Sequence, residues 1–284
     1  MQRNAHNRST LKALYILIIS MFAITLIQTI IPRHTREERP ASKVTDIHGT
    51  KICIIARTFQ KQYPYLLTFL LSISHNKKTM PRIFLLITDT ESSVSAAHKI
   101  AQLSNSMSGY NLTSILPITE QDAKNANENY KTDYGYGYTD AAIDYFAETN
   151  RIYKCDYLMF TNADNLYVKG FLDDYILDDM RSGIDLIAFD FVSHYKITPP
   201  TYISGIYDDG TRKVLPGCFI WGRIDLGAVV IRAKFMLEDA EMRFVKVMRR
   251  IEMDIGLADG FLVEYAAKMA KYRRIHRQVL LVHQ

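Results

Sequence analysis

The alternation of short apolar runs with helical patterns after residue 50 most constrains the fold of this chain. Residues 51–58 and 82–88 are apolar runs of the length expected for strands buried on both faces. Each is followed by a stretch with helical spacing of its apolar residues, at 63–76 and 91–103. This order predicts parallel strands joined by right-handed crossovers, and therefore an α/β fold with a mostly parallel central sheet flanked by helices. Further strands are predicted at 112–118, 157–160, 185–190, 228–232 and 277–283, with helices at 139–148 and 261–271 and a flexible polar loop at 119–138.

An uncharged apolar run at 13–31 precedes this domain. As a helix it would reach about 28 Å at roughly 1.5 Å per residue, enough to cross the hydrocarbon core of a bilayer. A cleaved signal peptide is the alternative, but its apolar region usually has only about 7 to 15 residues and ends in small residues. We therefore expect a cytoplasmic tail at 1–12, a transmembrane signal anchor at 13–31, a stem at 32–49 and the folded domain at 50–284.

The orientation of the anchor follows from the short segment before it. Basic residues flank the apolar run about equally on both sides, so the positive-inside rule decides little. The simplest topology leaves the short tail in the cytosol and translocates the rest, which is single-pass type II in the Golgi or ER membrane. Asn111 begins an Asn-Leu-Thr sequon that agrees with a luminal domain.

The cysteine content and the net charge argue against a zinc-binding or nucleic-acid-binding protein. The three cysteines, Cys53, Cys155 and Cys218, lack the spacing of a zinc site and are interpreted as buried small residues. In a lumen one pair could form a disulfide, but the sequence does not identify the pair. The net charge of +5 is modest and its basic residues are scattered, so nucleic acid is not an expected partner.

Polar residues follow three of the predicted buried strands. Ala56, Arg57 and Thr58 end the first strand, Asp89 ends the second, and Asn162, Ala163 and Asp164 follow the strand at 157–160. Open α/β sheets bind ligands beyond the carboxyl ends of their strands. These residues are therefore the candidate binding site, although Asp and Asn are also common turn residues.

The order of these elements resembles the nucleotide-binding half of GT-A glycosyltransferases. In that family an Asp-x-Asp motif follows an apolar strand, and Asn162, Ala163 and Asp164 occupy that setting within YLMFTNADNLY. The resemblance covers about residues 51–283 and implies a catalytic domain that binds a nucleotide sugar, with UDP as the expected nucleotide. It further implies nucleotide contacts from Tyr138 and Asp140 at the neighbouring helix.

The resemblance also implies a divalent cation. The last Asp of the family motif is the usual metal ligand, which corresponds to Asp164, and a C-terminal histidine often adds a second ligand, which corresponds to His283. Mn²⁺ or Mg²⁺ suits such ligands. Asn162 replaces the first Asp of the motif and brings no charge, which is expected to weaken metal binding.

Two further segments resemble the acceptor half of the family. Trp221, Gly222 and Asp225 lie in a glycine-containing stretch before a strand, where the tryptophan is expected to stack on a sugar. Asp259 lies at a predicted helix start, where inverting members hold a general base and retaining members contact the donor sugar. The expected acceptor is a glycan, glycoprotein or glycolipid.

Two other functions remain open on the sequence. A catalytically silent GT-A-like domain that binds a glycan or partner would explain Asn162. A cytosolic sugar-nucleotide pyrophosphorylase shares the α/β plan, but the segment after the first strand, ARTFQKQYPY, lacks the glycines that cradle a triphosphate.

Overall fold

A mixed sheet of nine strands forms the centre of the computed structural model, which describes residues 49–88, 91–109, 112–196, 207–220, 224–251 and 258–283. All of these residues belong to one compact unit, Lys43–Gln284. The strands are β1 (Ile52–Thr58), β2 (Arg82–Ile87), β3 (Thr113–Ile115), β4 (Tyr157–Asn162), β5 (Leu166–Tyr167), β6 (Leu186–Lys196), β7 (Tyr207–Leu215), β8 (Val229–Arg232) and β9 (Arg273–Val282).

The first half of the sheet is parallel, in the order β3-β2-β1-β4. Every residue of β1 is buried, as the apolar run at its position predicts. Burial on both faces requires helices above and below the sheet. The predicted crossover fold of this half is confirmed.

The second half of the sheet departs from the prediction. Strand β8 pairs antiparallel with both β4 and β6, and β6 then pairs parallel with β9. Four of the eight strand pairings in the described residues are antiparallel. The expectation of a mostly parallel sheet was therefore wrong, because the direction of a returning strand depends on its connection and not on its own residues.

Helices cover the sheet: α1 (Tyr63–Ser74), α2 (Glu91–Ser108), α3 (Glu120–Ala126), α4 (Tyr136–Tyr153), α5 (Leu177–Arg181), α6 (Phe244–Ile251) and α7 (Ala258–Met269). Short 3₁₀ turns occupy Gln60–Gln62, Tyr130–Thr132 and Leu226–Ala228, and π-helical turns occupy Phe171–Ile176 and Phe235–Asp239.

The flexible loop expected at 119–138 is instead ordered structure. Thr119 and Asp122 form a reciprocal capping box that starts α3. Helix α4 begins at Tyr136 after Gly135, whose φ of 83° favours glycine. The expected cap of this helix at Thr139 was also wrong, since the Thr139 hydroxyl donates to Gly135 O within the first turn.

A disulfide joins Cys53 in β1 to Cys155 just before β4, with Cα atoms 5.7 Å apart. Both residues are buried, as expected, and the bridge answers the pairing question that the sequence left open. It fastens the two strands whose ends carry the candidate site.

None of the helices within the described ranges is long and apolar enough to cross a membrane. The run at 13–31 lies outside those ranges, as do the tail and most of the stem. The anchor and the boundaries around it stay predictions.

Candidate active site

The carboxyl ends of β1 and β4 bring Arg57 and Asn162 together. In the parallel register of these neighbouring strands Arg57 lies opposite Asn162, and Arg57 Nε donates a hydrogen bond to Asn162 Oδ1 at 3.1 Å. The turn after β4 closes on the same strand end, because Ala163 N donates to Arg57 O at 2.9 Å. Two of the three predicted polar strand ends therefore meet at one edge of the sheet.

Arg57 also reaches Asp259 and Tyr136. Its Nη2 lies 3.9 Å from Asp259 Oδ2, and its guanidinium carbon lies 4.9 Å from the centroid of the Tyr136 ring. The Tyr136 hydroxyl donates to Asp259 Oδ1 at 2.5 Å. Side chains from the end of β1, the start of α4 and the start of α7 thus converge on one carboxylate.

Burial and charge shape the protonation of this group. Burial raises the pKa of the Asp259 carboxyl, while the Arg57 charge and the Tyr136 hydroxyl act in the opposite direction. Burial opposes the charge of Arg57, but Asp259 and Tyr136 raise its pKa above the usual value. Burial is also the main cause of the strongly raised pKa of Tyr136, so its hydroxyl remains a donor. The Asp259 side chain is 29% exposed, so a bound molecule can reach it.

One carboxylate oxygen of Asp164 accepts a hydrogen bond, and the other has no partner among the described residues. Its Oδ2 accepts a hydrogen bond from Gln62 Nε2 at 2.9 Å. Its Oδ1 is buried and has no hydrogen-bond partner among the described residues. Because a buried carboxylate oxygen without a partner is costly, Oδ1 is the carboxylate oxygen of this turn that a cation or a ligand donor would satisfy.

Asp225 and His283 form a second part of the site. Asp225 Oδ1 accepts from Gly227 N at 2.7 Å, and its Oδ2 lies 3.3 Å from His283 Nδ1. His283 is 5% exposed, so this residue near the end of the chain is not a solvated terminus. A Cβ on Gly227 would lie 2.8 Å from Asn165 Nδ2, so only glycine lets this turn pack against β4. Charges on Asp225 and His283 both influence the pKa of Asp259, so the two parts are neighbours.

The described side chains offer a sparse set of metal ligands. No three His, Cys, Asp or Glu side chains converge as a metal cluster within the described ranges. Asn162 Oδ1 faces the Arg57 guanidinium, which leaves the unpartnered Asp164 Oδ1 as the ligand oxygen of the motif. Mg²⁺ and similar cations are often held by one or two carboxylates together with substrate phosphates and water. The donor set fits a cation of that kind.

Three residues that were predicted to contact the nucleotide are surrounded by groups of the protein itself. Ala56 is fully buried inside β1, and Tyr138 is 8% exposed with its ring 6.1 Å from that of Tyr130. Both oxygens of Asp140 accept hydrogen bonds from backbone N–H groups, of Phe244 at 2.7 Å and Val245 at 2.9 Å, at the start of α6. Nucleotide contact by these residues stays a prediction.

Four further predicted residues lie outside the described ranges. They are Asp89, Asn111, Trp221 and Gly222. The third polar strand end, the sequon and the stacking tryptophan therefore stay predictions. Thr88 directly follows β2, and its N donates to Thr58 O at 3.0 Å.

Two residues of the site, Gln62 and Tyr136, were not predicted from the sequence. Gln62 lies in the 3₁₀ turn after β1, where nothing in the sequence distinguishes it from a surface residue. Tyr136 lies in the YGYGY stretch that was interpreted as a flexible loop. Recognising the Thr119-x-x-Asp122 capping box would have indicated ordered structure before this stretch.

Comparison with known proteins reveals similarity in fold only. No family model and no curated protein matches the chain. Residues 1–349 of S. aureus TarS match with a TM-score of 0.51 and 11% identity, covering 83% of this chain and 60% of that chain. A longer TarS structure matches with a TM-score of 0.51 and 14% identity, covering 83% of this chain and 37% of that one.

TarS structures with bound ligands are also similar. The complex with UDP matches with a TM-score of 0.51, 12% identity and coverage of 82% of this chain and 60% of that chain. The complex with UDP-GlcNAc matches with a TM-score of 0.50 and 12% identity, covering 82% of this chain and 58% of that chain. This chain thus spans 37 to 60% of the TarS chains it matches. The chain therefore has the GT-A-type fold of the glycosyltransferase TarS.

Proposed function

We propose that this protein is a glycosyltransferase that moves a sugar, of the hexosyl type, from a UDP-sugar to a hydroxyl of a glycan, glycoprotein or glycolipid. The observation that carries it is the Asp259 carboxylate, which Arg57 and Tyr136 hold beside the Asn162 to Asp164 turn. A fold shared with a protein that binds UDP and UDP-GlcNAc supports the choice of donor.

Asp259 acts in this proposal as the general base. As the acceptor oxygen attacks the anomeric carbon, a new C–O bond forms and the bond from that carbon to the diphosphate oxygen breaks. The acceptor proton passes to Asp259, and the UDP leaves with the electron pair of the broken bond. Burial raises the pKa of the Asp259 carboxyl, which makes its ionised form a stronger base than an exposed carboxylate.

Arg57 supports the same step from the nucleotide side. Its charge lies between the motif and the base, with Nε on Asn162 and Nη2 near Asp259. Its Nη1 is buried without a hydrogen-bond partner among the described residues. A fixed positive charge in a poorly solvated site stabilises a departing anion more than it would in water.

We further propose dependence on Mn²⁺ or Mg²⁺, held by Asp164 and His283 together with the substrate phosphates. When bound, such a cation supplies Lewis-acid stabilisation of the leaving diphosphate. The unpartnered Oδ1 of Asp164 supports this assignment.

We propose a type II membrane protein with its domain in the lumen of the Golgi or ER. The Cys53–Cys155 disulfide supports it, because disulfides persist in oxidising compartments and are rare in the cytosol. In sealed microsomes the domain should resist protease, and the full chain should resist carbonate extraction. Digestion of the domain in sealed vesicles would contradict the orientation.

A donor screen tests the function. The full chain, purified in detergent with Mn²⁺, is incubated with a panel of nucleoside diphosphate sugars, and nucleotide release is measured for the parent and for Asp259→Asn. We expect release from a UDP-sugar that falls at least about 100-fold in the variant. UDP binding without turnover of any donor would instead favour the silent binding protein.

A further inference from the structure

The Tyr136 hydroxyl is placed to control the Asp259 carboxylate. It donates to Oδ1 at 2.5 Å, and Arg57 Nη2 lies 3.9 Å from the other oxygen. Tyr136 itself is 4% exposed, so water does not compete for its hydroxyl. One oxygen of the carboxylate is therefore fixed by a buried donor, while the other has only the looser contact with Arg57, in a side chain that is 29% exposed.

The Tyr136 ring is itself held by two neighbouring side chains. It stacks on Phe244 with centroids 5.1 Å apart and an interplanar angle of 29°, and Arg57 lies against it. Its backbone follows Gly135, whose N donates to the buried Asp133 carboxylate at 3.0 Å. A donor that is this constrained can define the direction of its acceptor without a large entropic cost on substrate binding.

On the basis of the proposed function, we infer that Tyr136 is a positioning residue, which holds Asp259 Oδ1 so that Oδ2 faces the acceptor hydroxyl. Tyr136 does not touch the reacting atoms in this role. It acts through Asp259, so its removal should lower turnover without weakening binding of the nucleotide.

The hydroxyl also affects the basicity of Asp259. Among the described residues, the charged and titratable groups with the largest effect on this carboxyl are Arg57, Tyr136, Asp225 and His283. The hydrogen bond from Tyr136 lowers the pKa of Asp259, so its loss should raise that pKa. Since the base works only when ionised, the acid limb of the pH–rate profile should move to higher pH.

Tyr136→Phe tests this role, because it removes only the hydroxyl and keeps the ring on Phe244. Using the full chain and the donor found in the screen, we expect kcat to fall about 10- to 100-fold, as for loss of a hydrogen bond to a charged group. The KM for the UDP-sugar should stay within about threefold of the parent value, because the hydroxyl does not contact the nucleotide in this role. Combining the change with Asp259→Asn should add little, since residues that act as a unit are not additive.

Tyr145→Phe is the matched control. Its hydroxyl contacts that of Tyr153 at 2.7 Å on the same helix and makes no contact with Asp259 in the described structure. It should leave kcat and the pH profile unchanged. Parental kcat and pH profile in Tyr136→Phe, with Asp259→Asn inactive, would overturn the role of Tyr136 while leaving the proposed function intact. If no donor is turned over by the parent, the proposed function and the role of Tyr136 fall together.

Should Tyr136→Phe prove unstable, the pKa of Asp259 gives a second test. Carboxyl-carbon NMR of the parent and of the control Tyr145→Phe measures it in the absence of donor, and Tyr136→Leu offers a second variant that has no hydrogen-bond donor and is smaller than the side chain it replaces. We expect the acid midpoint of Asp259 to rise only where the Tyr136 hydroxyl is lost. An unchanged midpoint would overturn the inference.

Discussion

Replacing Asp140 by Asn should remove a pH-dependent loss of stability. Asp140 is 3% exposed, and burial raises the pKa of its carboxyl from 3.8 to about 7 against the opposing effect of the Phe244 and Val245 N–H groups. Because the folded pKa lies above the unfolded one, the stabilising contribution is complete at low pH and is lost as the pH rises towards 7. About three pH units correspond to roughly 4 kcal/mol at 1.36 kcal/mol per unit, an order-of-magnitude value.

The assay is denaturant unfolding of the full chain and of Asp140→Asn between pH 4 and pH 8. The parent should lose stability relative to the variant as the pH rises towards 7, and the difference should level off above that. Asp144→Asn is the control, because Asp144 lies one turn further along α4 and is 57% exposed in its ion pair with Arg243. A difference in unfolding free energy between parent and Asp140→Asn that stays constant from pH 4 to pH 8 would show that the pKa of Asp140 is not raised in the folded protein.

Three other substitutions probe the site and its support. Asp164→Asn keeps the shape of the turn but removes its charge, so turnover in Mn²⁺ should fall on the order of 100-fold; a change under about threefold would make Asp164 only a turn residue. Gly227→Ala forces a methyl group within 2.8 Å of Asn165 Nδ2, and should destabilise the domain by about 1–3 kcal/mol in thermal unfolding; a parental Tm would contradict this contact. Tyr134 has φ of 57° and is 74% exposed, so Tyr134→Gly should stabilise by about 1 kcal/mol; a lower Tm would show that its ring supports the fold.

The parallel half of the sheet could be predicted because its signal is local. The run at 52–56 is apolar, and each crossover helix has its own apolar spacing. The convergence of Arg57 with Asn162 followed from the rule that neighbouring parallel strands end at one edge. The helix start at Asp259 was also predicted, since α7 begins at Ala258.

The remaining features depend on distant contacts. The antiparallel insertion of β8 between β4 and β6 is decided by chain connections, which no run of residues encodes. The donor to Asp259 lies 123 positions away at Tyr136, so no spacing rule could connect them. The sequence did not indicate that both oxygens of Asp140 accept hydrogen bonds from backbone N–H groups of α6, and its contact with a nucleotide stays a prediction.

UDP is expected to bind at the edge where β1 and β4 end, and a crystal structure of the full chain with UDP and Mn²⁺ would locate it independently of any activity assay. We expect the nucleotide beside Arg57, with the diphosphate next to Asp164 and with Asp259 left open to an acceptor. The competing location is a cavity of about 380 Å³ between α4 and α6, lined by residues including Asp140, Arg243 and Arg249. UDP in that cavity, or no UDP at the strand edge under saturating conditions, would contradict the account.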